Sequence, residues 1–293
     1  MGIRGYGLFI VLSLFMVDLH ADEGESTSSS ISLELGRDSD DAKEGYLDLD
    51  TSLTNDIHIR WMSGGSKLDG ESDVFETRSR TIGISSDYGA PFVAGFDYDY
   101  WGSPESVETR TRRFKVGANT ENWYVQLLYE DRTTRLYTRG VTIVIGVGVI
   151  TLPDYYDINS IGRGIDISYY GLYRFAFNVS YIEYDYDKDV SALQKYPGYY
   201  QKFFFASTLS VATGLESWRR AGDISYSYDW GAVGFSGSQS ESAVDESVAS
   251  TVSIYLIWDF VRNWSSTFTW GESGTDTTDE TVRFGRVALT HRW

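Results

Sequence analysis

Apolar and polar positions alternate along much of the chain. Val248, Val252, Ile254, Leu256, Trp258 and Phe260 share one parity, and Thr251, Ser253, Tyr255 and Asp259 share the other. Phe92, Ala94, Phe96, Tyr98 and Tyr100 oppose Asp97 and Asp99 in the same way. Ile57, Ile59 and Trp61 oppose His58 and Arg60, and Trp123, Val125, Leu127 and Tyr129 oppose Gln126 and Glu130. A period of two is the signature of a β-strand with one apolar and one polar face.

Short polar turns near residues 55, 88, 120, 171, 230 and 262 punctuate these strands, and several successive turns lie about 32 residues apart. That step accommodates two strands, one tight turn and one longer loop, the repeating hairpin of an up-and-down barrel. The expected fold is therefore all-β, an antiparallel up-and-down transmembrane barrel of about fourteen strands, with sixteen and twelve as alternatives. The strands are expected near 29–36, 45–53, 56–63, 74–85, 91–101, 106–118, 122–131, 163–170, 173–187, 217–228, 232–239, 248–260, 264–271 and 281–293. Two wide intervals imply inserted loops near 132–162 and 188–216. The first contains the apolar run 140–150, and the second the aromatic run 199–209. Each is read as a constriction, a plug or a hidden strand pair, because water is a poor environment for such segments.

The last strand ends Val287, Leu289, His291 and Trp293 on one face, with Arg286, Thr290 and Arg292 on the other. A free terminal aromatic after such a strand resembles the assembly signal of bacterial outer-membrane β-barrels. The resemblance extends over the porin-like superfamily and picks out no particular family within it. It implies outer-membrane lipid and the barrel-assembly machinery as partners, the latter through Val287, Leu289 and Trp293. At the other end, Arg4, the apolar run 8–17 and Ala21 before the acidic Asp22-Glu23 read as a secretory signal peptide over 1–21, leaving 22–293 as one barrel domain. The run is too short to cross about 30 Å of hydrocarbon as a helix. Export and the barrel pattern together place the protein in a bacterial outer membrane with periplasmic termini.

Composition agrees with that reading. Aromatics make up 16% of the chain, with 22 Tyr and 9 Trp, and Pro occurs only 4 times. Tyr and Trp suit membrane interfaces, and Pro would remove ladder donors. A mean hydropathy of -0.28 is compatible with a barrel, in which only alternate residues meet lipid. The formal charge of -17 argues against nucleic-acid binding, which requires a basic surface. With no cysteine, no disulfide framework or thiolate site is available.

The polar faces converge on a lumen. Its candidate selectivity residues are Arg78, Arg80, Arg110, Arg113, Lys115, Asp48, Asp50, Asp97, Asp99 and Asp259, with Arg112, Glu34, Asp166 and Asp223 also in reach. Opposite parities within 110–115 mean that not all of these basic residues point inward. Opposed charges across a low-dielectric passage would sort ions, and the acidic excess predicts mild cation preference. The expected activity is passive diffusion of small hydrophilic solutes or ions through a monomeric barrel. Alternatives are a gated transporter of hydrophobic molecules, an adhesion or structural barrel, and an outer-membrane lipid hydrolase. Catalytic, cofactor and metal sites are not expected. No G-x-S-x-G or H-E-x-x-H motif occurs, and His58 beside Asp48 or Asp50 is the one pairing of interest. The acidic loop groups Asp38, Asp40 and Asp41, then Asp69, Glu71 and Asp73, then Asp185, Asp187 and Asp189, read as solvated charge runs rather than calcium loops.

Overall fold

The structure is a computed structural model that describes residues 29–293, apart from 55–56, 70–73, 87–90, 104–106, 138–141, 146–147, 152–154, 196–214 and 278–280. The expected signal peptide and the aromatic run 199–209 lie outside the described residues. Fourteen antiparallel strands close into one barrel. In chain order they are β1 (Ser30–Asp38), β2 (Lys43–Thr54), β3 (Ile57–Asp69), β4 (Val74–Ser86), β5 (Phe92–Ser103), β6 (Val107–Asn119) and β7 (Trp123–Tyr137). A small separate hairpin, β8 (Thr142–Ile145) and β9 (Gly148–Thr151), precedes β10 (Tyr155–Leu172), which pairs directly with β7. Then follow β11 (Phe175–Tyr186), β12 (Glu216–Tyr228), β13 (Gly231–Ser242), β14 (Val248–Val261), β15 (Trp264–Thr275) and β16 (Thr281–Arg292).

Closure is made by the two ends of the chain. β1 and β16 pair from Ser30↔Arg292 to Asp38↔Phe284, and Ser29 and Trp293 exchange backbone hydrogen bonds of 3.0 Å each. Every barrel strand therefore has two neighbours, and no ladder edge faces lipid. Both ends of the barrel strands' sequence lie on the short-turn side. The tight turns there are as short as Asp229-Trp230 and Arg262-Asn263, and Arg174 and Asn263 take positive φ of 62° and 72°.

Two expectations shift. The fourth short turn sits at Tyr173-Arg174, two residues beyond its expected place, and β7 and β10 run well into the expected 132–162 insertion. What remains of that insertion carries the β8–β9 hairpin outside the barrel sheet, so part of the apolar run 140–150 is strand but adds nothing to the wall.

The outer wall is apolar over a continuous belt. Ile82, Ile84, Val116, Leu127, Val179, Val252 and Ile254 are all exposed, Val116 and Leu127 at 62%. Aromatics gather at its edges: Trp123 packs on Tyr169 with centroids 4.5 Å apart, and Tyr228 stacks on Trp230 at 4.9 Å. A water-exposed protein does not carry so large an apolar surface, whereas lipid solvates it without penalty.

Candidate functional site: a charged lumen beneath an apolar seal

Inward positions follow from register and burial. On β6, Thr109, Thr111, Arg113 and Lys115 line a cavity of about 530 Å³, which Asp48, Arg60, Asp97, Asp99, Arg132, Arg219 and Arg286 also border. Arg113 is the hub: its Nε lies 2.6 Å from Glu130 Oε1, and its Nη1 lies 3.5 Å from Asp97 and 3.4 Å from Asp99. Lys115 Nζ reaches Asp97 at 2.5 Å. Adjacent strands supply these partners because Asp97↔Arg113 and Arg113↔Glu130 are directly opposite in register.

Above this hub sits a drier network. The Arg132 side chain is 4% exposed and lies 3.1 Å from Glu130 and 3.7 Å from Glu216. It donates to Tyr184 Oη at 2.6 Å and stacks over that ring, and Tyr184 in turn donates to Glu130 at 2.9 Å. Arg219 adds a second cation, 3.6 Å from Glu216. On the opposite flank Arg60 meets Asp48 at 2.6 Å, and Arg286 meets Glu44 at 2.6 Å.

The inward carboxylates of β10 and β12 have neutral partners instead. Asp166 accepts from Asn178 at 2.6 Å, and Asp223 accepts from Tyr255 at 3.1 Å. The wall beyond Tyr255 carries hydroxyls: Ser236 and Ser253 share a hydrogen bond of 2.7 Å, as do Thr251 and Ser273 at 3.0 Å.

An apolar cluster sits at the long-loop end among the described residues. Trp101, Val107, Leu136 and Ile158, inward residues near the upper ends of β5, β6, β7 and β10, cluster with Val190, Leu215 and Val244 from the connecting segments. Val107 and Ile158 are 0% and 1% exposed. Ala243 N–H donates to Leu215 O at 2.8 Å, which holds the β13–β14 connection against the start of β12. In the strand order the cluster runs along the wall from β5 through β6, β7 and β10 to the connections that flank β12 and β13.

The expected site residues divide by parity. Arg113, Lys115, Asp48, Asp97 and Asp99 come together at the cavity. Asp50 lies lower and accepts from His58 Nδ1 at 3.4 Å, a contact that Ser52 also makes at 3.3 Å. Asp259 sits at the short-turn rim, 3.7 Å from Arg292 and away from the cavity. Arg78, Arg80 and Arg110 are corrected: they face outward. Arg78 and Arg80 share parity with the lipid-facing Ile82 and Ile84, and Arg110, like Arg112, shares parity with Phe114 and Val116. Their strands continue past the apolar belt, where the outer face turns polar. Val287 and Leu289 lie on the outer wall, and the Trp293 ring stacks on His291 at 5.6 Å.

Sequence reasoning did not single out Glu130, Arg132, Glu216, Arg60 and Arg286 for the lumen, nor any residue of the seal. For Glu130 and Arg132 the signal was present, since both oppose Leu127 and Tyr129 in parity. In the first acidic loop Asp38 accepts the backbone N–H groups of Asp40 and Ala42 at 3.0 and 2.9 Å, and Arg37 donates to Asp41. That donation and the guanidinium charge hold the Asp41 carboxyl below its ordinary range.

A closed fourteen-stranded antiparallel barrel, apolar and aromatic outside and polar inside, has the architecture of a transmembrane β-barrel. Solved structures of that architecture resemble it in fold. The chain is 10% identical to the CymD monoaromatic hydrocarbon channel, with 92% of this chain and 87% of that one covered and a TM-score of 0.49. It is 10% identical to OmpT, an outer membrane protein of Vibrio cholerae, with 91% and 97% covered and a TM-score of 0.47. It is 9% identical to the NanC porin, with 89% and 98% covered and a TM-score of 0.45. No family model and no curated protein matches the sequence.

Proposed function

We propose that this barrel is a passive, cation-preferring channel for small hydrophilic solutes or ions, and that its long-loop mouth is shut by the apolar seal in the conformation described. The observation that carries this reading is the lumen wall. Its cavity is bordered by ion pairs and hydroxyls, and inward carboxylates outnumber inward cations once Asp166 and Asp223 are included. A polar wall of this kind stabilises water and ions along a passage, and its net sign biases which ion enters. The same wall disfavours a route for hydrophobic molecules, which would have to pass the Arg113 and Arg132 networks. No side chain is asked to perform chemistry. Small solutes and outer-membrane lipid are the partners in this reading, with the barrel acting as a monomer.

The test is single-channel recording of the refolded protein in a planar bilayer under a salt gradient. A cation-selective reversal potential is expected, moving towards zero in Asp166→Asn/Asp223→Asn. Trp101→Ala/Val244→Ser is expected to raise the open probability by removing the seal. Anion selectivity in the parent protein would sink the charge argument. A permanently open parent channel, unchanged by the seal substitutions, would sink the gate.

A further inference from the structure

The outward arginines of β4 and β6 have no place in the channel. Arg80 on β4 and Arg110 on β6 lie on one register row, with Tyr100 of β5 between them. One step lower, Tyr98 stands beside Arg112, and one step higher Arg78 stands opposite Gly102, whose other register partner is Glu108 of β6. With strands about 4.8 Å apart, the Cα atoms of Arg80 and Arg110 are roughly 10 Å from each other, within the joint reach of two guanidinium groups closing on one anion. Glu108 lies 3.2 Å from Arg110, and Asp131 lies 3.3 Å from Arg112, so these two cations are partly compensated. Arg78 and Arg80 are exposed and make no ion pair among the described residues.

Directly below the cluster, on β4 and β6, Ile82, Ile84, Phe114 and Val116 are exposed. Phe114 packs against Phe96 with centroids 5.0 Å apart. A cationic head site is thus continuous with an apolar strip along the barrel wall. In a chain of net charge -17 this concentration of outward arginine runs against the overall sign.

We infer that this face binds a phosphate-bearing anionic lipid at the long-loop edge of the membrane, headgroup on Arg78, Arg80 and Arg110, acyl chain along Ile82 and Val116. The guanidinium fork matches phosphate oxygens in pairs, and basic residues at this depth attract anionic headgroups. The strip below distinguishes a lipid from a free anion, since only a lipid gains from covering it. The inference stands apart from conduction.

The experiment is native mass spectrometry of the full barrel in an uncharged detergent, titrated with phosphatidic acid or with phosphatidylcholine of identical chains. Phosphatidic acid is expected to bind preferentially. Arg80→Gln/Arg110→Gln is expected to weaken it about thirtyfold, and Arg78→Gln alone about fivefold, at about one basic-residue increment each. Arg163→Gln/Arg220→Gln, on another sector of the outer wall, should leave binding within about twofold. Heat-dependent gel mobility confirms that each variant remains a folded barrel. Equal affinity for both lipids, equal loss in both double variants, or displacement of phosphatidic acid by inorganic phosphate alone would each overturn the inference.

Discussion

Replacing Arg132 by Met tests whether the upper lumen is a dry, ion-paired core. Met preserves much of the stem volume, so the cavity contribution is small and the change is mainly the loss of charge. Removing one partner from a buried pair typically costs about 3 to 5 kcal/mol, because the remaining charge is stranded. Here the stranding is incomplete. Glu130 keeps Arg113 at 2.6 Å, and Glu216 keeps Arg219 at 3.6 Å. The expected cost therefore falls at the low end, about 3 kcal/mol. The assay is denaturant unfolding in phospholipid vesicles, followed by tryptophan fluorescence under reversible conditions, with a lowered midpoint and an unchanged slope. Adding Glu130→Gln should cost less than the sum of the two single changes, by about 2 kcal/mol, since the pair acts as a unit. A loss below about 1 kcal/mol, the range of solvated pairs, would refute the reasoning. It would mean that water reaches Arg132 and that the seal does not exclude it.

Two further substitutions probe the wall itself. Leu127→Arg places a charge on the lipid side, mid-belt on β7, and is expected to cost about 2 to 4 kcal/mol in vesicle unfolding; a neutral result would remove Leu127 from the membrane. Gly231 follows the β12–β13 turn with φ of 144°, and an added Cβ would stand 1.9 Å from Ile257 O. Gly231→Ala is expected to lower stability by about 2 kcal/mol. Gly237→Ala, whose Cβ would meet only Thr251 O at 3.8 Å, should change it by less than about 0.5 kcal/mol in the same titration.

The fold was legible because lipid enforces parity. Along β14, the alternation from Val252 to Phe260 reads directly as a strand with one apolar face, and the short turns mark most of the hairpins. Where the outer face leaves lipid, that signal ends although the ladder does not. Beyond Tyr129 the outward positions of β7 are Asp131, Thr133 and Arg135, as polar as the inward Glu130, Arg132 and Thr134. The expected strand therefore stops at 131, whereas the pairing continues to Tyr137↔Tyr155. The same loss of contrast misassigned Arg78, Arg80 and Arg110. A charge that shares parity with Ile82 and Ile84 belongs to the outer wall above the belt, whatever its suitability for a lumen. Pairings such as Arg132 with Glu216 join residues far apart in the chain, and only the inward curve of the wall from β7 through β10 and β11 to β12 brings them within 3.7 Å.

On the channel reading proposed above, closure also decides which charges select ions. Arg113 and Lys115 are saturated by Asp97, Asp99 and Glu130, and Arg60 and Arg286 by Asp48 and Glu44. Such pairs act on a passing ion as local dipoles, whose fields fall off faster with distance than that of an unpaired charge. Asp166 and Asp223 are oriented by Asn178 and Tyr255, neutral donors that leave the carboxylate charge uncompensated. They stand on β10 and β12, flanking Asn178 on β11, which pairs across from Asp223 in the register. On the same reading, the densest part of the lumen's charge rigidifies the wall, while cation preference comes from carboxylates outside that network, Asp166 and Asp223 foremost. On this division of labour, neutralising Asp97 would disturb stability more than selectivity, and neutralising Asp223 would do the reverse.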